Sequence, residues 1–256
     1  MKVAIVYWGI LRCVDKTEAN REKYIYKTLR ENGVEYKTYC HNYHLNSNYE
    51  NKRAKEQCMK IDEHAQRKLL NPDYYLIDDR SKVIKSLEAD MKIYLRYGNP
   101  WGKFNDTFLY HILAMRSKYE ITMLLQKHIE DGADYDLVLF LRSDVIFEPF
   151  NIMKILQRLQ KSSSNTVIIP NFGHGHGYND RLIICRPEIA MKYGLVYKDM
   201  KNIVNYAVKP RRNPLHSETL VKYILSKANA TVVKDPLIKF CRIRTNGYVH
   251  ANDYRE

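Results

Sequence analysis

The run Leu137-Val138-Leu139-Phe140-Leu141 is five apolar residues without a break, followed at once by Arg142, Ser143 and Asp144, a cation, a hydroxyl and a carboxylate. Alternating polarity would mark a strand with one wet face. An unbroken run of this length suits a strand covered on both faces, as in a parallel sheet between layers of helix. In open sheets of that kind ligands gather just beyond the carboxyl ends of the strands. Arg142, Ser143 and Asp144 are therefore expected at the lip of a binding crevice.

The chain on either side fits such a sheet. Val3 to Tyr7 reads as an opening strand with Trp8-Gly9 as its exit turn, residues 17–31 as a helix stopped by Asn32-Gly33, and Val34 to Tyr43 as the next strand. This β-α-β opening is typical of nucleotide-binding α/β domains. Residues 46–68 are polar, basic and helix-permissive, Asn71-Pro72 breaks them, and the pattern from Ile77 to Tyr97 is mixed. A long helix is expected from an N-cap at Asp106 to Glu130, with Phe108, Ile112, Met115 and Tyr119 as one stripe, continued by Ile121, Leu124, Leu125 and His128. Val145 to Phe147 leads to Pro149, which opens a short helix bearing Ile152, Ile155, Leu156 and Leu159 on one face.

Thr166 to Ile169, Leu182 to Cys185 and Thr231 to Val233 read as further strands. Pro187 opens a helix that Gly194 closes, and Ser217 caps one carrying Leu220, Val221, Ile224 and Leu225. No repeat or low-complexity segment intervenes, and Ser162-Ser163-Ser164 is too short a linker to separate domains. The expected architecture is one α/β domain over residues 1–256, with a mixed, mostly parallel sheet flanked by helices.

Charge narrows the partners. Lys and Arg number 42 against 29 Asp and Glu, a net +13 that attracts polyanions: nucleotide phosphates, nucleic acid or an anionic membrane surface. The 21 tyrosines can stack on bases or sugar rings, or simply fill core and surface. Five cysteines, odd in number and without a Cys-x-x-Cys pair, favour reduced thiols in a cytoplasmic setting over a disulfide framework or zinc knuckle. Met1-Lys2 before Val3 to Leu11 imitates a signal peptide but lacks a small-residue cleavage site, so a buried first strand explains it better. No apolar run approaches the ~20 residues that span a bilayer, which predicts a soluble protein.

Four groups of residues can carry chemistry. Asp144, beside Ser143 at a strand end, can bind a divalent metal bridging two phosphates, or can merely close a turn. The stretch from Asn171 to Arg181 has glycines at 173, 175 and 177, which let a loop pass close to a ligand, but it matches no standard phosphate loop. His174 and His176 would point to opposite sides of an extended backbone, whereas Asn179, Asp180 and Arg181 suit sugar hydroxyls or phosphate, or satisfy one another in a polar turn. Glu218, after His216 and Ser217, sits in the first turn of a helix, where a carboxylate is favoured structurally and can also be aimed as a general base. The cations Arg116, Lys118, Lys209, Arg211, Arg212, Arg242 and Arg244 are solvated surface unless they face the crevice, where arginines could hold a diphosphate.

Taken in order, Tyr7 to Arg12, Tyr135 to Val138, Arg142 to Val145, Gly177 to Arg181 and His216 to Leu220 resemble GT-A-type glycosyltransferases, virus- and microbe-encoded sugar transferases among them. The resemblance spans most of the chain but rests on short motifs. It implies a GT-A-like, Rossmann-like fold, a UDP- or GDP-linked sugar donor, and a glycan or glycoprotein hydroxyl as acceptor. It also implies Mn²⁺ or Mg²⁺ at an Asp-x-Asp element, of which Arg142-Ser143-Asp144 keeps only the last acid, so that Arg142 could replace some of the metal's charge. Asp144 with His250 or His216 would be the metal ligands. Tyr7, Gly9, Arg12, Arg116, Arg142, Ser143 and Asp144 would bind the nucleotide, with Tyr7 or Trp8 stacking on the base. Gly177, Asn179, Asp180, Arg181 and His216 would bind the sugar or acceptor, with Glu218 or Asp180 as base. The setting implied is cytoplasmic, the host cytoplasm for a virus-encoded chain, with peripheral membrane contact through the basic surface and no specific nucleic acid. The rival reading is a basic nucleic-acid-binding protein without activity; it is weakened by dispersed cations and the lack of a nucleic-acid module. A nucleotidyltransferase would need a tighter cluster of acids.

Overall fold

The computed structural model describes residues 1–204, 215–251, 253 and 254. From the N-terminus, β1 (Lys2–Tyr7) leads into a helical stretch made of α1 (Val14–Arg21), a π-helical turn (Glu22–Tyr26) and α2 (Lys27–Glu31), and β2 (Glu35–His44) returns parallel to β1. A hairpin of β3 (Tyr49–Asn51) and β4 (Glu56–Met59) precedes α3 (Glu63–Leu70), β5 (Tyr74–Asp79) and α4 (Arg80–Tyr94). The long helix α5 (Asn105–Glu130) feeds β6 (Leu137–Leu141). There follow β7 (Val145–Phe147), α6 (Ile152–Gln160), β8 (Thr166–Pro170), β9 (Leu182–Cys185), α7 (Pro187–Gly194) and α8 (Met200–Asn202). Finally come α9 (Ser217–Lys227), β10 (Thr231–Asp235) and β11 (Phe240–Arg242).

Seven strands make one sheet in the order β10-β8-β9-β6-β1-β2-β5. All pairings are parallel except those of β9, which runs against both β6 and β8. This is the mixed, mostly parallel sheet flanked by helices expected from the sequence. The chain leaves β1 toward β2 and β5 on one side and returns to β6 on the other, so the connection reverses direction at the β1–β6 seam. A crevice opens at such a seam, beyond the carboxyl ends of the strands.

The unbroken apolar run of β6 is buried at every residue because both faces of the sheet are covered. Val138 and Phe140 join the core beneath α5 with Phe108, Ile112, Ile121 and Leu125; Leu137, Leu139 and Leu141 join the opposite core with Leu29, Ile155, Leu156 and Leu159. Each such side chain contributes about 1.5–3 kcal/mol when fully buried, an upper figure because unfolded chains are already partly compact.

Several boundaries differ from those expected. The first helix begins at Val14, where the Thr17 hydroxyl lies within hydrogen-bond reach of both Cys13 O and Ser143 O, the latter 2.8 Å away at the end of β6. Residues 46–68 hold the β3–β4 hairpin before a short helix; the Asn51 side chain accepts from Ala54 N and turns the chain there. The mixed stretch from Ile77 holds the second half of the edge strand β5, half-exposed and so without a continuous apolar run, and then helix α4. Helix α5 starts from Phe104, and Asp106 instead accepts from Lys52 N at 2.7 Å. Asn151, not Pro149, caps α6, accepting from Lys154 N, and His216, not Ser217, precedes α9. Among the described residues no helix is long and apolar enough to cross a membrane.

Candidate active site

A cavity of about 900 Å³ opens beyond the carboxyl ends of β1 and β6, where the topology places a crevice. Trp8, Gly9 and Arg12 enter it from β1, Arg142, Ser143 and Asp144 from β6, and Asp180 and Arg181 from the start of antiparallel β9. Gly9 makes the exit turn with φ +89°, and its N–H donates to Ser117 Oγ at 2.7 Å, docking the turn on α5.

Asp144 is the centre of a buried charge network. Arg142 grips it from one side, Nε to Oδ1 at 2.8 Å and Nη2 to Oδ2 at 2.5 Å. Arg12 donates to Oδ2 through Nε at 3.2 Å and Nη2 at 3.0 Å. Burial alone would raise the acid's pKa, but the two guanidinium groups hold it far below the usual carboxylate range. Arg12 continues to the Tyr49 hydroxyl and to Glu56 Oε2 at 3.1 Å, so its donors are spent on fixed protein partners.

The last described segment closes the cavity. Antiparallel pairing of β7 with β11 sets Arg242 opposite Val145, and Ile243 N donates to Asp144 O at 2.9 Å. Arg242 is clamped by Asp253, while Arg244 Nε donates to His250 Nε2 at 3.1 Å. Glu56, fully buried on β4, accepts from Thr245 N at 2.8 Å and from its hydroxyl at 2.6 Å, joining the hairpin to the C-terminal segment. Burial, then the repulsion of Arg12 and Arg242, lowers Arg244 to about 10.

His216 and Glu218 line the same cavity from the start of α9. His216 Nδ1 is 2.7 Å from Glu218 Oε2, and the Ser217 hydroxyl donates to the same oxygen at 2.8 Å. Burial opposes ionisation of Glu218, but His216 and Ser217 together pull it down to about 2. Trp101 stacks near His216 with centroids 5.2 Å apart and meets His111 at 5.5 Å. Burial lowers His111 to about 4, keeping this ring neutral at physiological pH, and its Nε2 is buried without a hydrogen-bond partner. The loop before β9 is held against α9: Tyr178 N donates to Glu218 O at 3.0 Å. Only glycine fits at 177, because a Cβ there would lie 1.8 Å from Glu218 O.

Most residues singled out in the sequence meet here, and some do not. Gly9, Arg12, Arg142, Ser143, Asp144, Asp180, Arg181, His216, Glu218 and His250 line the cavity. Tyr7 does not: successive strand residues face opposite sides, and its ring is fully buried, sharing a hydrogen bond with the Tyr26 hydroxyl at 2.7 Å. Trp8 faces the cavity instead. Arg116 lies outside it, near Asp78 at 3.7 Å and Glu120 at 3.5 Å. Asn179 is a staple within the loop, donating to Phe172 O at 2.8 Å and accepting from Arg181 N at 2.9 Å. Gly177 acts through its close approach to α9, and of the alternate histidines only His176 lines the cavity. Lys118 is fully buried over the Tyr193 ring at 3.9 Å. Lys209, Arg211 and Arg212 lie outside the described residues. Glu56, Trp101, Tyr110 and His111 went unrecognised in the sequence: Glu56 lies in the polar 46–68 stretch, Trp101 in the connection before the long helix, and Tyr110 and His111 on that helix but off the apolar stripe, none with a motif around it.

The residues near Asp144 do not form a divalent-metal site. Both Asp144 oxygens already accept guanidinium N–H bonds, and His250 Nε2 accepts from Arg244. No group of three His, Cys, Asp or Glu side chains among the described residues is placed to hold a metal ion.

No protein-family model and no curated protein sequence matches the chain. Among solved structures it is similar to mouse xyloside xylosyltransferase 1 in its apo form, at 10% identity over 92% of this chain and 85% of that one, TM-score 0.47. It is similar to a glycosyltransferase involved in glycosylation of the major capsid of PBCV-1, at 12% identity over 92% and 82%, TM-score 0.41. A third is the apo glycosyltransferase GlyE of Streptococcus pneumoniae TIGR4, at 15% identity over 92% of this chain but 46% of that one, TM-score 0.39. These are likenesses of backbone outline and carry nothing about side-chain roles.

Proposed function

We propose that this chain is a glycosyltransferase that moves one sugar from a nucleoside-diphosphate donor, UDP- or GDP-linked, to a hydroxyl acceptor. The observation that carries the reading is that one cavity is lined both by a set of arginines and by aromatic rings beside the His216–Glu218 pair. Transfer needs both. The acceptor oxygen bonds to the anomeric carbon while the bond from that carbon to the diphosphate oxygen breaks, and the electron pair leaves with the diphosphate. Arg142, Arg181, Arg242 and Arg244 line the cavity where that charge would develop, and fixed cations there stabilise a leaving anion.

The acceptor's proton would pass to the His216–Glu218 pair. Glu218, held at about 2, is a weak proton acceptor by itself. Its carboxylate beside Nδ1 would orient the His216 imidazole and stabilise it once protonated, leaving Nε2 to take the proton. Asp180, also in the cavity, is the second acid available for acceptor hydroxyls. Trp8, Tyr49, Trp101 and Tyr110 offer apolar ring faces on which a base or a sugar can stack. Arg12, Arg142, Arg181, Arg242 and Arg244 face a cavity of ligand size, which favours a small phosphate-bearing ligand over a nucleic acid.

The test is a panel of UDP-, GDP-, CMP- and dTDP-sugars offered with simple glycosides as acceptors. Release of the nucleoside diphosphate together with a glycoside heavier by one sugar supports the proposal. Lack of both binding and turnover across the panel contradicts it.

A further inference from the structure

We infer that the donor's diphosphate is bound in this chain by guanidinium groups without a divalent cation, Arg181 and Arg142 taking the role that a metal would fill. The inference rests on the nucleotide-sugar reading above and concerns how that ligand is held.

The geometry around Asp144 points this way first. Asp144 Oδ2 accepts three guanidinium N–H bonds from Arg12 and Arg142, Oδ1 accepts one from Arg142, and the carboxylate is 2% exposed, so its charge is already balanced by two arginines rather than offered to a metal. Asp144 works as a buried brace between two cations. It fixes Arg142, whose side chain is 27% exposed and lines the cavity with its outer edge.

Arg181 supplies the independent observation. It is 8% exposed and lines the cavity, and its Nη1 is buried with no hydrogen-bond partner. A buried cation left short of partners is costly in a finished fold and becomes useful when a ligand completes it. Gly173 makes room for it, since a Cβ there would lie 2.1 Å from that same Nη1.

Charge balance agrees. Seven cationic side chains line the cavity, those above with Arg53 and Lys55, against Asp144, Asp180 and Glu218. Glu56 and Asp253, bonded to Arg12 and Arg242, bring the acids to five among the described residues, which leaves an excess of two positive charges. A nucleotide sugar carries one negative charge on each phosphate of its diphosphate, so the ligand would neutralise that excess. Arginine presents paired N–H groups to phosphate oxygens and needs no hydration shell stripped from a metal ion.

The experiment is calorimetric titration of the intact chain with UDP, GDP and inorganic pyrophosphate, in EDTA and again in Mn²⁺ or Mg²⁺. The expected result is affinity for UDP or GDP that agrees within about threefold between the two conditions. Arg181→Met should weaken it by roughly 10–100-fold in both, the loss of charged hydrogen bonds. Arg181→Met should also raise the melting temperature of the free protein, since it removes an underpartnered buried charge; a merely structural arginine would give the opposite sign. Arg142→Lys, which keeps charge but loses the paired geometry, provides a second variant and should also weaken binding in both buffers. Binding that appears only with the metal, or an Arg181→Met variant that binds as wild type does, overturns the inference while leaving glycosyl transfer standing. No binding of either nucleotide or pyrophosphate in either condition overturns both.

Discussion

Arg142 closes on Asp144 through two parallel bonds, Nε to Oδ1 at 2.8 Å and Nη2 to Oδ2 at 2.5 Å, two residues apart on one strand exit. The pair turns a motif that reads as a degenerate metal site into a fixed cation. Asp144 is 2% exposed and also holds Arg12, so one carboxylate orients two arginines across the β1–β6 seam.

Asp144→Asn is therefore expected to lose more than a ligand. It leaves two buried guanidinium groups facing a neutral amide, which should cost roughly 3 kcal/mol of stability. Donor affinity should fall about tenfold or more, equally in EDTA and in Mn²⁺. Thermal melts with titrations in both buffers check this; a loss confined to the Mn²⁺ arm would restore Asp144 to a metal.

Glu218→Gln should lower kcat by about 10²–10⁴ while leaving donor affinity within a few-fold, the pattern of a lost proton-transfer partner. Steady-state kinetics and donor titration separate the two effects. The same carboxylate has an acid signature. Its folded pKa, about 2, lies below the unfolded value of ~4.3, so its stabilising contribution is complete above that value and is lost as pH falls toward 2. Glu218→Gln should flatten the stability profile in that window.

Gly177→Ala tests the join between the loop and α9. The added Cβ would sit 1.8 Å from Glu218 O, so the loop must move away from the helix start. The expected outcome is a several-degree fall in melting temperature with kcat reduced at least tenfold, and some loss of nucleotide affinity as well, because the same loop carries Arg181. Unchanged kcat would separate the loop from the chemistry.

Lys118 gives a prediction independent of function. Burial lowers it to about 7, only partly opposed by Asp180, with its ammonium over the Tyr193 ring. A base whose folded pKa lies below its unfolded value of ~10.4 costs stability as pH falls from that value, because only the unfolded chain is then fully protonated. The fold should thus weaken between about pH 10 and 7 through this residue. Lys118→Met should abolish that slope and raise the melting temperature at pH 7, as denaturation across the range will show.

The elements of this architecture legible in the sequence were those with periodicity. The β6 run, the β1-helix-β2 opening and the α5 stripe read correctly because burial on one or both faces writes itself into the pattern. Strand β5 stayed hidden because it is an edge, half-exposed and partnered on one side. The β3–β4 hairpin was hidden by its brevity and charge, and with it Glu56, whose partners Arg12 and Thr245 lie 44 and 189 residues away.

The same division holds in the site. Residues flanking strand ends, Gly9, Arg12 and Arg142 to Asp144, were visible because the fold class dictates where strand exits go. Of the two rings that could have faced the crevice, strand parity puts Trp8 in the cavity and Tyr7 in the core. Arg116 was indistinguishable in sequence from a cavity arginine; its distance from the crevice is set by which side of α5 packs inward. The arginine grip on Asp144 could be suspected from Arg142 alone, but its second half depends on a tertiary contact between residues 132 apart.

Turnover of nucleotide sugars by the wild-type chain is the decisive measurement, followed by mass spectrometry of acceptor glycosides and by nucleoside diphosphate release, with and without EDTA. At least one UDP- or GDP-sugar is expected to yield a glycoside heavier by one sugar, at comparable rates in the two buffers, and Glu218→Gln should nearly stop it. No product and no nucleotide binding across the panel, alongside salt-sensitive binding of DNA or RNA, would contradict a metal-independent glycosyltransferase.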